Sequence, residues 1–138
     1  MSDLSVDLFV TSDPVPVMQH WLGAKRIEEE LGAPLRHVAG KTWVLALAQG
    51  PGALVGVGAV FLAGGSAEFG SAWVEPWSRG LGVYRALVEG RLALARVAHH
   101  SAARAKASPQ AAAALLHMGW RDMGLGDDEG RRLLGIWW

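Results

Sequence analysis

The chain has 138 residues, 51% of them hydrophobic, and its 13 basic and 13 acidic side chains give a formal net charge of zero. A chain of this length forms one domain that buries about two-thirds of its unfolded surface, so we expect a single domain over residues 1–138. A zero net charge disfavours a nucleic-acid-binding surface of the usual kind, which needs a basic excess. The absence of cysteine excludes disulfides, a thiolate metal site and a cysteine nucleophile.

The N-terminus and the longest apolar runs predict where the protein works. The first seven residues carry acidic side chains and no basic stretch before an apolar run, which is unlike a signal peptide. No apolar run reaches the roughly 18 residues that a membrane span needs. We therefore expect a soluble, cytoplasmic protein that does not enter a membrane.

Hydrophobic spacing divides the chain into strands and helices in the predicted order β-α-α-β-β-β-α-β-α-β-β. Glycine and proline separate these elements, notably at Gly23, at Gly32 and in the hairpin turn Gln49–Gly52. In chain order, the predicted elements are a strand over 5–10, helices over 14–22 and 24–31, strands over 42–48, 54–62 and 67–74, a helix over 82–98, a strand over 102–107, a helix over 110–118, and strands over 120–125 and 131–138.

Apolar side chains at helical and strand spacing are expected to form the core. On the second helix, Ile27 and Leu31 are predicted to face inward, while Glu28 to Glu30 form a solvated face. The expected core tryptophans are Trp21, Trp43, Trp73 and Trp120, and the expected exposed ones are Trp77, Trp137 and Trp138.

The stretch 74–87 joins a strand to the long helix through a glycine turn. Pro76 ends the strand because it has no N–H for the ladder, and Gly80 and Gly82 permit positive φ. A helix N-terminus after such a turn points unpaired N–H groups at an anion, and Arg79 adds a positive charge. The pattern predicts a phosphate or pyrophosphate site, although such turns also occur for packing alone. The apolar stripe of the helix comprises Val83, Leu87, Gly90, Leu94 and Val97.

This turn differs from two common phosphate-binding loops. It lacks the Gly-Lys-Ser/Thr of a Walker loop, and Arg85 stands where the dinucleotide fingerprint needs a third glycine. The order Val-x-Pro-x-x-Arg-Gly-x-Gly resembles instead the coenzyme A loop of the GNAT superfamily of N-acyltransferases, whose core pattern is Gln/Arg-x-x-Gly-x-Gly/Ala. Arg79 and Gly82 match that pattern, and Tyr84 departs from it at the last position. The segment from Ser108 to the Gly-Trp pair also resembles a later motif of the family.

The resemblance covers nearly the whole chain and implies an α/β (α+β) fold. That fold has a mixed, mostly antiparallel central sheet of six or seven strands flanked by about four helices. The resemblance also implies acetyl-CoA (coenzyme A) as co-substrate, with pantetheine along a V-shaped gap beside the strand before the loop. The oxyanion donor would be a main-chain N–H at about Val74. The implied cofactor-binding residues are Trp73, Val74, Arg79, Gly80, Leu81, Gly82, Val83, Tyr84 and Ser108.

Two glutamates are candidates for the base that deprotonates the attacking amine. Glu68 stands eleven residues before Arg79, where histone-acetylating members of the family place their catalytic glutamate. On an alternating strand it shares a face with Gly70 and Ala72, two small residues that could line an apolar cleft suited to proton removal near neutral pH. The alternative is that Glu68 begins a strand in water. Glu75 is the second candidate, and it too could be a solvated strand-end residue.

The general acid is where the sequence departs from the family pattern. Leu115 stands where many members have the tyrosine that protonates the leaving thiolate, and Leu cannot donate a proton. Ser108 replaces the usual asparagine. Tyr84, the one tyrosine, is expected to lie too far away, and His117 is expected at the surface. The thiolate would then leave without a side-chain acid, or water would serve, or the enzyme would be weak or inactive.

The remaining histidines and tryptophans predict little chemistry. His99 and His100 are adjacent, so their side chains diverge, and five histidines without ligand spacing predict no metal. The terminal pair Trp137-Trp138 is a candidate for a homodimer contact or for a wall of the acceptor site, and Trp21 lies where the family builds its acceptor pocket.

Three functional hypotheses follow. The first is an N-acetyltransferase that moves an acetyl group from acetyl-CoA to a primary amine by direct attack, the acceptor being a small molecule or a peptide. The second, suggested by Leu115, is a non-catalytic acyl-CoA-binding or protein-interaction module on the same fold. The third is a binding fold that takes no coenzyme A.

Overall fold

The computed structural model describes residues 3–21, 24–31, 35–50, 52–126 and 130–138. Within these ranges, seven β-strands and four α-helices occur in the predicted order, which is therefore confirmed. The predicted breaks at Gly23 and Gly32 and the turn residue Pro51 lie outside the described residues. The strands are β1 (Val6–Thr11), β2 (Lys41–Ala48), β3 (Ala53–Phe61), β4 (Ala67–Val74), β5 (Ala102–Ala107), β6 (Arg121–Gly126) and β7 (Arg132–Trp137). The helices are α1 (Val15–His20), α2 (Lys25–Leu31), α3 (Val83–Val97) and α4 (Pro109–His117).

The strands form one sheet in the order β1-β2-β3-β4-β5-β7-β6. In the described sheet, β4 and β5 pair in parallel and the other neighbours pair antiparallel. A parallel pair needs a crossover connection, and here α3 carries the chain from the end of β4 back to the start of β5. The middle of the sheet is therefore the place where two antiparallel halves meet.

The two faces of the sheet are covered by different helices. On one face, Trp21 of the α1 end and Ile27 of α2 join a buried cluster with Trp43 and Trp73. On the other face, α3 and α4 cover two clusters that contain Leu87, Leu115 and the strand residues beneath them. The predicted core positions of Trp21, Trp43, Trp73 and Trp120 are confirmed, as are the exposed positions of Trp77, Trp137 and Trp138.

Two apolar residues predicted to face inward do not. Val97 is 77% exposed, because the sheet lies under the α3 ridge that ends at Ala95, and two helical residues further on are about 200° around the axis. Leu31 is 45% exposed, because the last turn of α2 lies over a cavity instead of over the core. No helix in the described ranges is long and apolar enough to cross a membrane.

Candidate active site

The sheet opens between its two central strands. β4 and β5 pair from Ala67/Ala103 to Phe69/Ala105 and no further, although β4 continues to Val74 and β5 to Ala107. The unpaired halves of these strands therefore border a gap that is closed at Phe69 and open toward the glycine turn. A gap at this place is what the sequence comparison with the GNAT pattern led us to expect.

A β-bulge in β4 changes which way its side chains point. Gly70 and Ser71 lie between the partners Val60↔Phe69 and Gly58↔Ala72, so two residues of β4 oppose Ala59 of β3. In an unbroken strand, Phe69 and Trp73 would share a face. Instead, Phe69 packs in the α3–α4 cluster and Trp73 in the α1–α2 cluster.

The hydrogen bonding at the end of β4 shows in which direction the backbone groups of Val74 point. The N–H of Glu75 donates to the Val55 carbonyl of β3 at 2.8 Å. Because backbone groups alternate in direction along a strand, those of Val74 point away from β3 and into the gap. The Val74 carbonyl accepts there from Arg79 Nε at 2.9 Å.

The glycine turn presents backbone amides at the start of α3. Gly80 and Gly82 have φ of +77° and +86°, which confirms the positive φ expected of them. Within the described part of the chain, the N–H groups of Gly80, Leu81 and Gly82 donate to no other protein group. Gly82 directly precedes Val83, the first residue of α3, so the positive end of the helix dipole adds to these donors.

The N-terminal segment lies against this turn. Leu4 donates its backbone N–H to the Leu81 carbonyl at 2.8 Å. A Cβ placed on Gly82 would lie 2.7 Å from Cγ and Oδ2 of Asp3. The exposed Asp3 carboxylate therefore borders the surface that a phosphate would approach.

Arg79 is held by several neighbours. Besides the Val74 carbonyl, its guanidinium binds the Glu30 carboxylate of α2, and its Cζ lies 4.7 Å from the ring centroid of Trp73. The side chain remains 40% exposed. These contacts fix Arg79 beside the end of β4, and a direct contact with pyrophosphate stays a prediction.

A cavity of about 670 Å³ occupies the gap and passes from one face of the sheet toward the other. Its walls are residues 68–72 of β4 and 104–107 of β5, with α3 and α4 on one side and the end of α2 on the other. Several predicted site residues line it together, namely Glu68, Tyr84 and Ser108, along with Leu31 and Leu115.

Glu68 lies at the mouth of this cavity and not in the expected apolar cleft. Its carboxylate is 55% exposed and accepts from Arg104 of β5 at 2.7 Å. It shares its face with Gly70, as predicted, but the bulge removes Ala72 from that face. The expected setting of Glu68 was therefore wrong, because the bulge and Arg104 depend on partner strands. Its role as a base is not tested by this geometry.

Glu75 is bound in a hydrogen-bonded network on the α1–α2 side. It accepts from Arg26 Nη1 and Nη2 at 2.9 and 2.7 Å, and from Trp21 Nε1 at 2.7 Å. The Arg26 guanidinium holds the pKa of the Glu75 carboxyl below its ordinary value, burial opposes this, and Trp21 assists it. This ion pair favours a structural role for Glu75 and makes it a weaker candidate for a base near neutral pH.

Replacing Glu75 by glutamine should destabilise the fold by about 1–2 kcal/mol near neutral pH, because the charge-assisted bonds to Arg26 are lost. A lowered folded-state pKa means that the ionised carboxylate contributes stability above the unfolded value of about 4.3. That contribution disappears as the pH falls through the lowered folded-state pKa. Thermal melts of wild type and Glu75→Gln should differ most above about pH 5 and converge in acid. Glu29→Gln, at an exposed position of α2, is the control, and a difference independent of pH would contradict the network.

The loop before α4 and the first turn of α3 face each other across the cavity. Ser108 caps α4, its Oγ accepting from the Ala111 N–H at 3.3 Å, so its hydroxyl is partly engaged. Tyr84 was expected to lie far from the chemistry, yet it lines the same cavity as Glu68 and Leu115. Burial raises the pKa of the Tyr84 phenol, and neighbouring Arg91 opposes this rise. Tyr84 therefore keeps its proton at neutral pH, and it shares the cavity lining with Leu115, which has no proton to donate.

Two buried cations of the cavity lining were missed from the sequence. Arg91 lies among the apolar residues of α3, and 1% of it is exposed. Lys41 is the first residue of β2 and is 8% exposed. Lys41 donates to the Arg36 carbonyl at 2.6 Å, and burial lowers its pKa. The sequence did contain a signal for Arg91. It follows Leu87 by four residues, so a charged residue stands at a helix position that the spacing predicts to face inward.

None of the five histidines lines the cavity. His117 is exposed, as expected, and His100 Nε2 lies 2.7 Å from the Leu62 carbonyl oxygen. Across the described ranges, no three His, Asp or Glu side chains come close enough to hold a metal ion.

Comparison with known proteins identifies the fold. A protein of Lactobacillus plantarum assigned as an N-acetyltransferase superposes with a TM-score of 0.77 at 14% identity, over 96% of this chain and 98% of that one. An acetyltransferase of Bacillus subtilis in complex with CoA gives 0.72 at 12% identity, over 97% and 99% of the two chains. N-acetylglutamate synthase from Neisseria gonorrhoeae, complexed with coenzyme A and N-acetyl-glutamate, gives 0.71 at 16% identity, over 99% of this chain and 36% of that one.

No protein-family model matches the chain, and no curated protein sequence matches it. Other superposed structures include a GNAT-family acetyltransferase from Staphylococcus aureus. The architecture is therefore the GNAT fold, as the loop pattern predicted, and at these identities the likeness extends to the fold alone.

Proposed function

We propose that this chain, which has the GNAT fold, is an N-acetyltransferase that uses acetyl-CoA as co-substrate and a primary amine as acceptor. The observation that carries the proposal is the gap between β4 and β5, which leads from the free amides of the glycine turn to a cavity lined by Glu68. Two further details support it: the backbone groups of Val74 point into this gap, and Gly80 and Gly82 have the positive φ that the turn requires.

The glycine turn fits a pyrophosphate. Main-chain N–H groups at Gly80, Leu81 and Gly82, followed by Val83 and Tyr84 in the first turn of α3, are donors that an anion can use. The open half of the gap offers Trp73 and Val74 backbone for the pantetheine arm. Acetyl-CoA bound there would supply an activated acetyl thioester.

The reaction needs a base for the amine, a hydrogen-bond donor to the oxyanion and a proton donor to the leaving thiolate. The Val74 N–H points into the gap, and we assign it as the donor to the negative charge that develops on the thioester oxygen. Glu68, at the cavity mouth, takes a proton from the incoming amine. Glu75 is the weaker alternative because it accepts two bonds from Arg26 and one from Trp21, which leaves it less free than Glu68 with its one bond from Arg104. Among the described residues, the side-chain hydroxyls that line the cavity are those of Ser71, Tyr84 and Ser108, and we assign to Tyr84 the proton donated to the leaving sulfur.

The main experiment combines binding and turnover on the purified protein. Acetyl-CoA should raise the melting temperature, as any ligand that binds the folded state does, and amine libraries should produce free thiol. Stabilisation without thiol release would favour the alternative, a catalytically inactive acyl-CoA-binding or protein-interaction module. Leu115, which cannot donate a proton, and the Glu68–Arg104 ion pair are the observations that favour this alternative.

Asp3 should weaken the binding of coenzyme A. Its carboxylate borders Gly82, so it repels a pyrophosphate at the turn. Asp3→Ser should tighten binding about two- to fivefold, the size expected of one exposed charge, and the gain should shrink as salt screens it. Titrations of acetyl-CoA at low and high ionic strength measure this, with Asp13→Ser as the control. Weaker binding by Asp3→Ser would show that Asp3 orders the turn instead.

The acceptor, a homodimer and the cytoplasmic location remain predictions. Trp137 and Trp138 are 52% and 40% exposed, which suits a contact between two copies or a wall for the acceptor. Arg96 lies over the Trp138 ring at 5.1 Å, so this patch is partly covered by the chain's own cation.

A further inference from the structure

Arg91 is a buried cation in the middle of α3. It is 1% exposed and faces the sheet, where its Cζ lies 4.2 Å from the ring centroid of Phe69. Gly58 of β3 makes room for it, since a Cβ at residue 58 would lie 2.9 Å from Arg91 Nε and 3.0 Å from Cζ. The guanidinium therefore occupies a recess in the sheet that is formed by the absence of a side chain.

The hydrogen bonds of Arg91 are incomplete. Nε donates to the Leu87 carbonyl of its own helix at 3.1 Å, and Nη1 donates to the Ala59 carbonyl at 3.3 Å. The Tyr84 hydroxyl lies near enough to favour the charge, yet no acceptor in the described ranges meets hydrogen-bond geometry at Nη2. Leaving such a donor buried costs free energy, as does burying a charge without its counter-ion.

No carboxylate of the described residues neutralises Arg91. Burial lowers its pKa to about 10, so it remains charged at neutral pH. The one cavity-lining carboxylate in the described ranges, Glu68, is bound to Arg104. The cavity also contains Lys41 and Lys106, so its charge is clearly positive. An anionic ligand would supply the missing counter-ion.

The position of Arg91 shows which part of a ligand it would meet. It lies over Phe69, the last residue of β4 that pairs with β5, which is the closed end of the gap. The glycine turn is at the other end. Arg91 Nε donates back to the Leu87 carbonyl, which lies four residues after Val83, or about 6 Å along the helix. The guanidinium, which lies over Phe69 and against Gly58, is therefore displaced from the glycine turn toward the closed end of the gap, the end that the reacting groups would reach.

We propose that the closed end of the gap is a carboxylate-binding subsite, in which Arg91 pairs with a carboxylate carried by the transferred acyl group or by the amine acceptor. This inference rests on the proposed acyl transfer. Two carbonyl groups hold Nε and Nη1, so the orientation of the guanidinium is fixed. Nη2 has no partner in the described ranges and is the donor left for a carboxylate.

The wild-type protein tests the subsite in two arms. In the donor arm, thiol release from succinyl-CoA is compared with release from butyryl-CoA, which has the same four-carbon chain without the charge. In the acceptor arm, acetyl-CoA is offered with amino acids and with their carboxamides. We expect a preference of at least about tenfold in kcat/KM for the carboxylate form in one arm, which identifies its source. Equal rates in both arms would overturn the subsite.

Variants then assign the preference to Arg91. Arg91→Met should reduce it to less than about twofold while acetyl-CoA still raises the melting temperature, and Arg91→Lys should keep part of it. Arg85→Met, the same change at an exposed position of α3, should leave it intact. A full preference in Arg91→Met would overturn the proposal, and if that variant does not fold, Arg91→Lys and the wild-type arms decide. Absence of any binding or thiol release would instead refute the acyltransferase function itself.

Discussion

Replacing Gly82 by tryptophan should remove the stabilisation of the protein by acetyl-CoA, with an affinity loss of at least about 100-fold. Gly82 has φ of +86° directly before α3, and its Cα faces Asp3 without room for a side chain. An indole there both strains the backbone, by about 1–2 kcal/mol, and covers the amides that would bind the pyrophosphate. Isothermal titration and thermal melts with acetyl-CoA measure the loss.

Substitutions at two further glycines distinguish the effect of backbone strain from the effect of covering the amides of the turn. Gly52, in the β2–β3 turn, has φ of +67°, and a Cβ added to it would meet no other atom within 4 Å. Gly52→Trp should cost similar stability and leave acetyl-CoA binding unchanged. Gly80→Trp, at φ of +77° with open space around it, should fold and yet bind poorly. If Gly82→Trp and Gly80→Trp retain wild-type binding, the glycine turn does not hold coenzyme A.

Replacing Glu68 by glutamine should lower thiol release by about 100-fold, the usual contribution of a general base, and leave the affinity for acetyl-CoA unchanged. Glutamine keeps the size of the side chain and an oxygen for Arg104 but cannot take a proton from the amine. Because Glu68 is 55% exposed, its loss should change the melting temperature little. The measurement is kcat under saturating acetyl-CoA together with the dissociation constant of acetyl-CoA.

The control for this change is Glu89→Gln on the exposed face of α3, which should behave as wild type. Unchanged turnover in Glu68→Gln would remove Glu68 from the mechanism and direct attention to Glu75. A parallel loss of acetyl-CoA affinity would show that the Glu68–Arg104 pair holds the gap open and does not act on the amine.

The glycine turn could be predicted closely because its causes are local. The proline after β4, the two glycines and the apolar spacing of α3 each constrain a few neighbouring residues. The turn, its positive φ values and the helix after it are found where the sequence placed them. The resemblance of this segment to the GNAT pattern then led to the fold and to the gap between β4 and β5, which are present.

The surroundings of the candidate side chains could not be predicted because their partners lie far away in the chain. Arg104 is 36 residues from Glu68, and Arg26 is 49 from Glu75. The β4 bulge, which depends on how β4 pairs with β3, inverted the alternation on which the apolar cleft around Glu68 was predicted. That Tyr84 and Glu68 line one cavity was not predicted, because spacing along the chain does not measure distance across a cavity.

Local sequence was sufficient to predict the order of the elements and the position of the glycine turn, since backbone freedom and hydrophobic spacing act within one or two turns of chain. Which charges are paired depends instead on the assembled fold. In the folded protein, Glu75 pairs with Arg26, and the Glu68 side chain is 55% exposed. Arg91 is buried at the closed end of the gap, where no carboxylate of the described residues pairs with it. Pairing and burial depend on contacts between distant segments, so they become definite only when the sheet and its helices come together.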